Sequence, residues 1–191
     1  MGVIKREDIL YLSVTCGVMR NKKREIETGG YHGTFLGIRE KIGEYEGKPT
    51  VRIEVKMKDD KSDEICVVQF TKEGWYSLGF FARIKKIDLT KPFTIGVLKS
   101  DQNEKMSFCY LRQKEGVKIE ADKSFPKYDI VKLSGKDVQD WTKPFAAMEE
   151  TIKYLNENNP NAATVTTPLA ADTGKEDDEK VPDPTKDDLS F

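Results

Sequence analysis

Two neighbouring stretches alternate apolar and polar residues with a period of two, and this alternation restricts the fold of the chain more than any other feature. In residues 34–45, Leu36, Ile38 and Ile42 fall on one face and Phe35, Arg39, Lys41 and Tyr45 on the other. After the turn Glu46-Gly47-Lys48-Pro49, residues 50–58 alternate again. Val51, Ile53, Val55 and Met57 face one way, and Arg52, Glu54, Lys56 and Lys58 the other. Successive side chains of a strand point to opposite faces, whereas a helix would spread these apolar residues around its circumference. The two runs therefore read as a long β-hairpin with one buried side.

The other elements are read around this hairpin. Residues 9–18 (ILYLSVTCGV) are a β-rich first strand, and residues 19–33, with a basic run and a Gly-Gly turn, are a long exposed loop. Residues 64–70 (EICVVQF) are continuously apolar, as expected of a strand buried on both faces. Thr71 is a plausible N-cap for a short helix over 71–87. Its stripe of Trp75, Leu78 and Ala82, widened by Phe81 and Ile84, makes Trp75 a core residue. Residues 92–99 and 105–112 form a second hairpin, and 117–121 a short extension. Ser134 and Asp137 have the spacing of a capping box. After them, Val138, Trp141, Phe145, Met148, Ile152 and Leu155 recur at helical steps, with Trp141 in a packing role. Pro144 either kinks this helix or lies in the first turn of a second one capped by Thr142.

Strand, strand, strand, helix, strand, strand is the element order of an OB-fold. The expectation is thus a mainly-β domain, an OB-fold-like five-stranded Greek-key barrel, with an extra N-terminal strand and an added C-terminal helix. It spans residues 1–158. From 159 to 191 the chain loses large apolar residues, and such a segment cannot bury enough surface to offset its ordering entropy, so a disordered acidic tail is expected. Charge divides at the same place. Residues 1–160 hold 29 Lys and Arg against 25 Asp and Glu, and residues 161–191 hold 3 against 8. A basic body with an acidic tail points toward nucleic-acid partners.

Several classes of function find no support. The three cysteines, Cys16, Cys66 and Cys109, sit singly in apolar runs, which suits free thiols in a reducing, cytoplasmic setting. No leader pattern is read at the N-terminus, and no apolar run approaches the roughly 20 residues of a membrane helix. His32, the only histidine, lies in a Gly-rich turn, so neither a zinc site nor a His-dependent catalyst is expected. No phosphate-cradling Gly-rich motif occurs. The chain is read as a non-enzyme that needs no cofactor.

The polar faces suggest what it does instead. Phe35, Arg39, Lys41, Tyr45, Arg52 and Lys56 share the outward side of the first hairpin. Rings interleaved with cations suit a single strand of nucleic acid, whose bases stack while its phosphates are neutralised. Phe108, Tyr110 and Arg112 share one face of the last barrel strand, where the two rings either fill the barrel or add to the binding surface. Arg20, Lys22, Lys23 and Arg24 form a basic loop that could clamp the backbone.

The terminal Lys186-Asp187-Asp188-Leu189-Ser190-Phe191 closes a disordered acidic segment behind a basic body. This arrangement resembles bacterial and bacteriophage single-stranded-DNA-binding proteins. The resemblance implies that the chain binds and protects single-stranded DNA during replication, recombination and repair. It also implies that Asp187, Asp188, Leu189 and Phe191 recruit partner proteins of those processes, in a bacterial cell or a phage-infected host. Ser190 stands where the bacterial form usually has Pro, and Lys186 dilutes the acidic run, which suits a phage version with its own partners. The competing expectation is an OB-like protein–protein adaptor or structural protein that binds no nucleic acid. It would bury Phe35 and Tyr45 in a partner.

Overall fold

The structure, a computed structural model, describes residues 9–45, 47–113 and 116–161, and of Tyr45 only the backbone. In chain order the elements are β1 (Ile9–Thr15), β2 (Val18–Asn21), β3 (Ile26–Thr28), β4 (Gly30–Tyr45), β5 (Lys48–Lys58), β6 (Ile65–Thr71) and α1 (Trp75–Ile84). They continue with β7 (Phe93–Lys99), β8 (Ser107–Gln113), β9 (Val117–Lys118), β10 (Asp129–Leu133), β11 (Lys136–Asp140) and α2 (Thr142–Glu157). The fold is mainly β with added helices. Among the described residues nine strands form one curled, open sheet in the order β3-β2-β1-β6-β5-β4-β7-β8-β9, rather than the five expected.

The long β4 organises this sheet. Its first residues, Gly30–Gly33, pair with β7, and Thr34–Tyr45 pair with β5. One strand thus serves both hairpins. β1 joins β6 in parallel, with Leu10 beside Cys66 and Leu12 beside Val68. Four strands lie between β1 and β8 in sheet order, yet the Gly17 N–H, in the turn after β1, donates to Ser107 Oγ at 2.8 Å, so the sheet curls far enough to bring its two sides together. The inner side of the curl holds the core, including Leu12, Met19, Phe35, Ile53, Val55, Met57, Phe93, Ile95 and Leu111. α1 packs chiefly on β8 and inserts Tyr76, Phe80, Phe81 and Ile84 into this core. β6 is buried on both faces, as its unbroken apolar run requires.

α2 covers a stretch of β4 that has no strand beside it. Beyond Gly33 the β7 side of β4 is open, and exposed strand edges need covering. Asn156 donates from Nδ2 to Ile38 O and accepts from Ile38 N–H. Asn159 Nδ2 donates to Leu36 O, and Asn161 Nδ2 to Phe35 O and Leu89 O. The Asn-rich run that ends the helix therefore replaces a missing strand with side-chain amides. On the same side Lys72 Nζ donates to Glu40 and Glu149, both at 2.7 Å, and lies over the Phe145 ring. Burial opposes the charge on Lys72, but the hydrogen bonds to Glu149 and Glu40 outweigh it and raise its pKa above the ordinary lysine value.

Four local expectations change. Residues 19–33 contain β2, β3 and the start of β4 rather than a long loop. α1 begins at Trp75 with Gly74 as N-cap, because the Thr71 hydroxyl donates instead to Glu73 O. Ser134 and Asp137 form no capping box, and Val138 lies in no helix. Ser134 and Gly135 both take positive φ (52° and 81°) and make the two-residue turn of the β10–β11 hairpin. α2 then starts at Thr142 with Pro144 in its first turn, and Asp140 Oδ1 accepts from the Thr142 N–H and hydroxyl. The expected tail falls outside the described residues.

Candidate nucleic-acid interface

The outer side of the sheet, opposite the core, carries two adjoining polar fields joined through β4. The first lies across β1, β6, β5 and β4. The strand registers align Ser13, Gln69, Glu54 and Arg39 in one row. Glu54, almost fully buried, is the hub of that row. It accepts from Arg39 Nε at 2.6 Å and from Gln69 Nε2 at 2.8 Å, while Lys41 Nζ stands 3.9 Å away. Lys41 and Arg52 face each other in the next row, and Lys56, Val67 and Tyr11 make the row on the other side. Burial on the sheet holds Lys56 below the ordinary lysine range, and repulsion from Arg39 adds to the shift. The expected cations Arg39, Lys41, Arg52 and Lys56 are thus brought together around one buried carboxylate.

Phe35 does not join them. It is fully buried in the core. β4 has a bulge there: Phe35 opposes Met57 and Gly37 opposes Lys56, so Leu36 is an extra residue and both Phe35 and Leu36 turn away from solvent. Strict alternation cannot anticipate that phase change. Tyr45 pairs through its backbone with Lys48 near the hairpin tip, and its side chain is outside the described set. The ring this field does carry is Tyr11, which a period-two reading of residues 9–15 places opposite Leu10 and Leu12.

The second field lies on β7, β8 and the start of β4. Phe108, Tyr110 and Arg112 alternate with the buried Cys109 and Leu111, so both rings are outside the barrel interior. The register sets Gly30, Gly96 and Tyr110 side by side. The Tyr110 ring lies over Gly96, where any Cβ would overlap it, and its hydroxyl reaches toward Gly29 O at 3.5 Å. A side chain at position 96 would push the Tyr110 ring off the strand. The Arg112 guanidinium stands 4.9 Å from the Tyr110 ring centre. Phe108 is 37% exposed and has Trp75, 40% exposed, at 6.4 Å between ring centres. His32 and Thr94, hydrogen-bonded at 3.0 Å, occupy the row of Arg112.

Trp75 therefore departs from its expected core position. A helix starting at Trp75 leaves the indole on its rim, where it begins a chain of rings through Tyr128 and Trp141 to Phe145. The basic segment is structured by β2 and β3. Arg20 pairs with Glu27 at 3.0 Å and Arg24 with Glu64 at 2.7 Å, while Lys22 and Lys23 occupy the exposed turn. Asp187, Asp188, Leu189 and Phe191 lie outside the described residues.

Among the described residues no group of three His, Cys, Asp or Glu could hold a metal ion, and no helix is long and apolar enough to cross a membrane. Two shallow clefts, of about 260 and 180 Å³, lie on the helix side near Leu155 and Thr151. The cations and rings of the two fields form an open surface, chemically suited to an extended polyanion with stacking bases. No family model, curated protein or solved structure matches the chain.

Proposed function

We propose that the chain binds single-stranded DNA across the outer side of an OB-like barrel formed by β4 to β8 and α1, protecting it during replication, recombination or repair. The observation that carries this reading is the Phe108–Tyr110–Arg112 row, two solvent-facing rings and a cation on a single strand. Bases stack on the rings, and Arg112 passes from the Tyr110 ring to a phosphate. Arg39, Lys41, Arg52 and Lys56 then follow the backbone, with Tyr11 as a further stacking position. The terminal Asp187, Asp188, Leu189 and Phe191 recruit partner proteins, in a cytoplasmic setting. No enzymatic step and no cofactor is part of this reading.

Support also comes from the placement of α2. It meets β4 at the open edge and on the Ile38 side, not over the face of Arg39 and Glu54. An adaptor that used this face internally would cover it.

The test is a titration of the protein into labelled oligo-dT and into the matching duplex, at low and moderate salt, with and without residues 162–191. The expected outcome is salt-sensitive preference for the single strand that is retained or tightened when the tail is removed. Absence of binding by both proteins at micromolar concentration would reject the reading and favour a protein–protein adaptor.

A further inference from the structure

β10 and β11 form a two-stranded sheet that pairs with no third strand among the described residues. Every residue of β10 is exposed, and Ile130, Val131, Leu133 and Val138 give the hairpin apolar groups on both faces. A lone hairpin is marginally stable, and a free edge beside exposed apolar side chains is a template for another strand.

The register identifies which strand fits. The Ser134-Gly135 turn makes Leu133 and Lys136 the closing pair of a two-residue hairpin, and that pair is hydrogen-bonded. Antiparallel pairs alternate between bonded and non-bonded, so Val131–Val138 and Asp129–Asp140 are bonded as well. The backbone N–H and C=O groups of Asp137 and Gln139 therefore point away from β10. An antiparallel strand must meet them with residues whose own groups point outward, and a second copy of β11 does so when Asp137 faces Gln139 and Gln139 faces Asp137. That register centres on Val138. It sets Lys136 of each copy against Asp140 of the other, and Asp140 Oδ2 is available because Oδ1 serves Thr142. The neighbouring allowed registers set Asp137 against Asp137, or Gln139 against Gln139, and lose both charge pairs. The same construction on β10 opposes Asp129 to Leu133 and Ile130 to Lys132, which pairs no opposite charges.

We propose that β11 is a self-pairing edge: two copies of the chain join β11 to β11, antiparallel about Val138, to make a four-stranded sheet in the order β10-β11-β11-β10. A stripe of four valines, Val131 and Val138 from each copy, crosses one face of that sheet. The contact is small and belongs to the weak, reversible class of interfaces burying less than about 1,200 Å². It is argued independently of the nucleic-acid reading.

Sedimentation equilibrium on the full chain without DNA, from about 1 to 100 µM, reads the association directly. A reversible monomer–dimer equilibrium is expected. Gln139→Pro removes one outward N–H per copy without touching the bonds to β10, and Lys136→Glu places like charges at both ends of the contact. Each should weaken the dimer about tenfold or more. In a Cys16→Ser background, Val138→Cys should oxidise to a disulfide-linked dimer, because the two Val138 positions form a non-bonded pair with Cα atoms about 4.5 Å apart. A monomer throughout the range would overturn the proposal. So would a dimer that neither Gln139→Pro nor Lys136→Glu weakens, or one that Val138→Cys fails to cross-link.

Discussion

The two fields on the outer side of the sheet are built from opposite materials. Across β1, β6, β5 and β4 the side chains are long cations held in place by a buried carboxylate, with Tyr11 as the ring. Across β7 and β8 the Tyr110 ring lies on a backbone cleared of side chains by Gly96 and Gly30, and Phe108 stands opposite Leu98. One field positions charge by ion pairing, and the other positions aromatic surface by removing Cβ atoms. Under the proposed reading, that separation lets phosphate neutralisation and base stacking be altered independently, and each substitution below tests it.

The largest expected effect concerns the boundary between the fields. Phe35 was expected among the binding rings, but it belongs to the core, so Phe35→Ala should destabilise the fold by about 3–5 kcal/mol, through lost burial and a cavity. Denaturant unfolding measures this. A loss below about 1 kcal/mol would contradict its place in the core. Next in size are the rings of β8. Tyr110→Ala and Phe108→Ala should each weaken oligo-dT binding by about 1–3 kcal/mol, the typical worth of a base stack, while leaving the salt dependence unchanged. Fluorescence anisotropy at several salt concentrations separates the two quantities. A changed salt slope with unchanged affinity at low salt would assign charge, not stacking, to this field.

Glu54→Gln should act in the converse sense. With the carboxylate gone, Arg39 and Lys41 lose the group that holds them to the sheet. The logarithmic salt slope should steepen by about 0.7 for each cation that gains a phosphate, with the Tyr110 contribution unaltered. A slope identical to that of the unsubstituted protein would mean that Glu54 does not withhold these cations from the nucleic-acid backbone.

How far these fields were legible in sequence depended on whether local pattern or distant contact decided the outcome. The five strands β4 to β8 follow from alternation and apolar runs, which are local. Arg39, Lys41, Arg52 and Lys56 emerge on a single face for the same reason. Phe35 departs from its expected face because one extra residue, Leu36, shifts the phase of β4, and strict alternation does not encode a bulge. The parallel pairing of β1 with β6 joins segments more than fifty residues apart, and no local pattern encodes it. The β10–β11 hairpin is hidden by ambiguity: a serine three residues before an aspartate fits a capping box, while Ser-Gly between two short runs that each carry valine fits a hairpin turn. Trp75 failed for a related reason. Moving the helix start from Thr71 to Trp75 leaves the indole on the rim. The partners of the Asn-rich end of α2, at Phe35, Leu36 and Ile38, exist only in three dimensions, so no local pattern marks its role in covering β4.

The smallest effect tests whether the charged field remains distinct under changing pH. Lys56 has its pKa lowered first by burial on the sheet and then by Arg39. A lysine with a depressed folded-state pKa loses its proton before ordinary lysines as pH rises. Affinity for oligo-dT should therefore begin to fall on the alkaline side at a lower pH in the unsubstituted protein than in Lys56→Arg. The consequence for stability has the opposite sign. The folded state disfavours the charged form, so Lys56 costs stability below its folded pKa, and that cost disappears as pH rises through it. Alkaline conditions should thus weaken binding slightly while relieving a strain on the fold, and Lys56→Arg should keep binding flat over the same interval. Parallel titrations of anisotropy and of unfolding midpoint separate the two trends. If both fell together with pH, the loss would lie in general unfolding and not at Lys56.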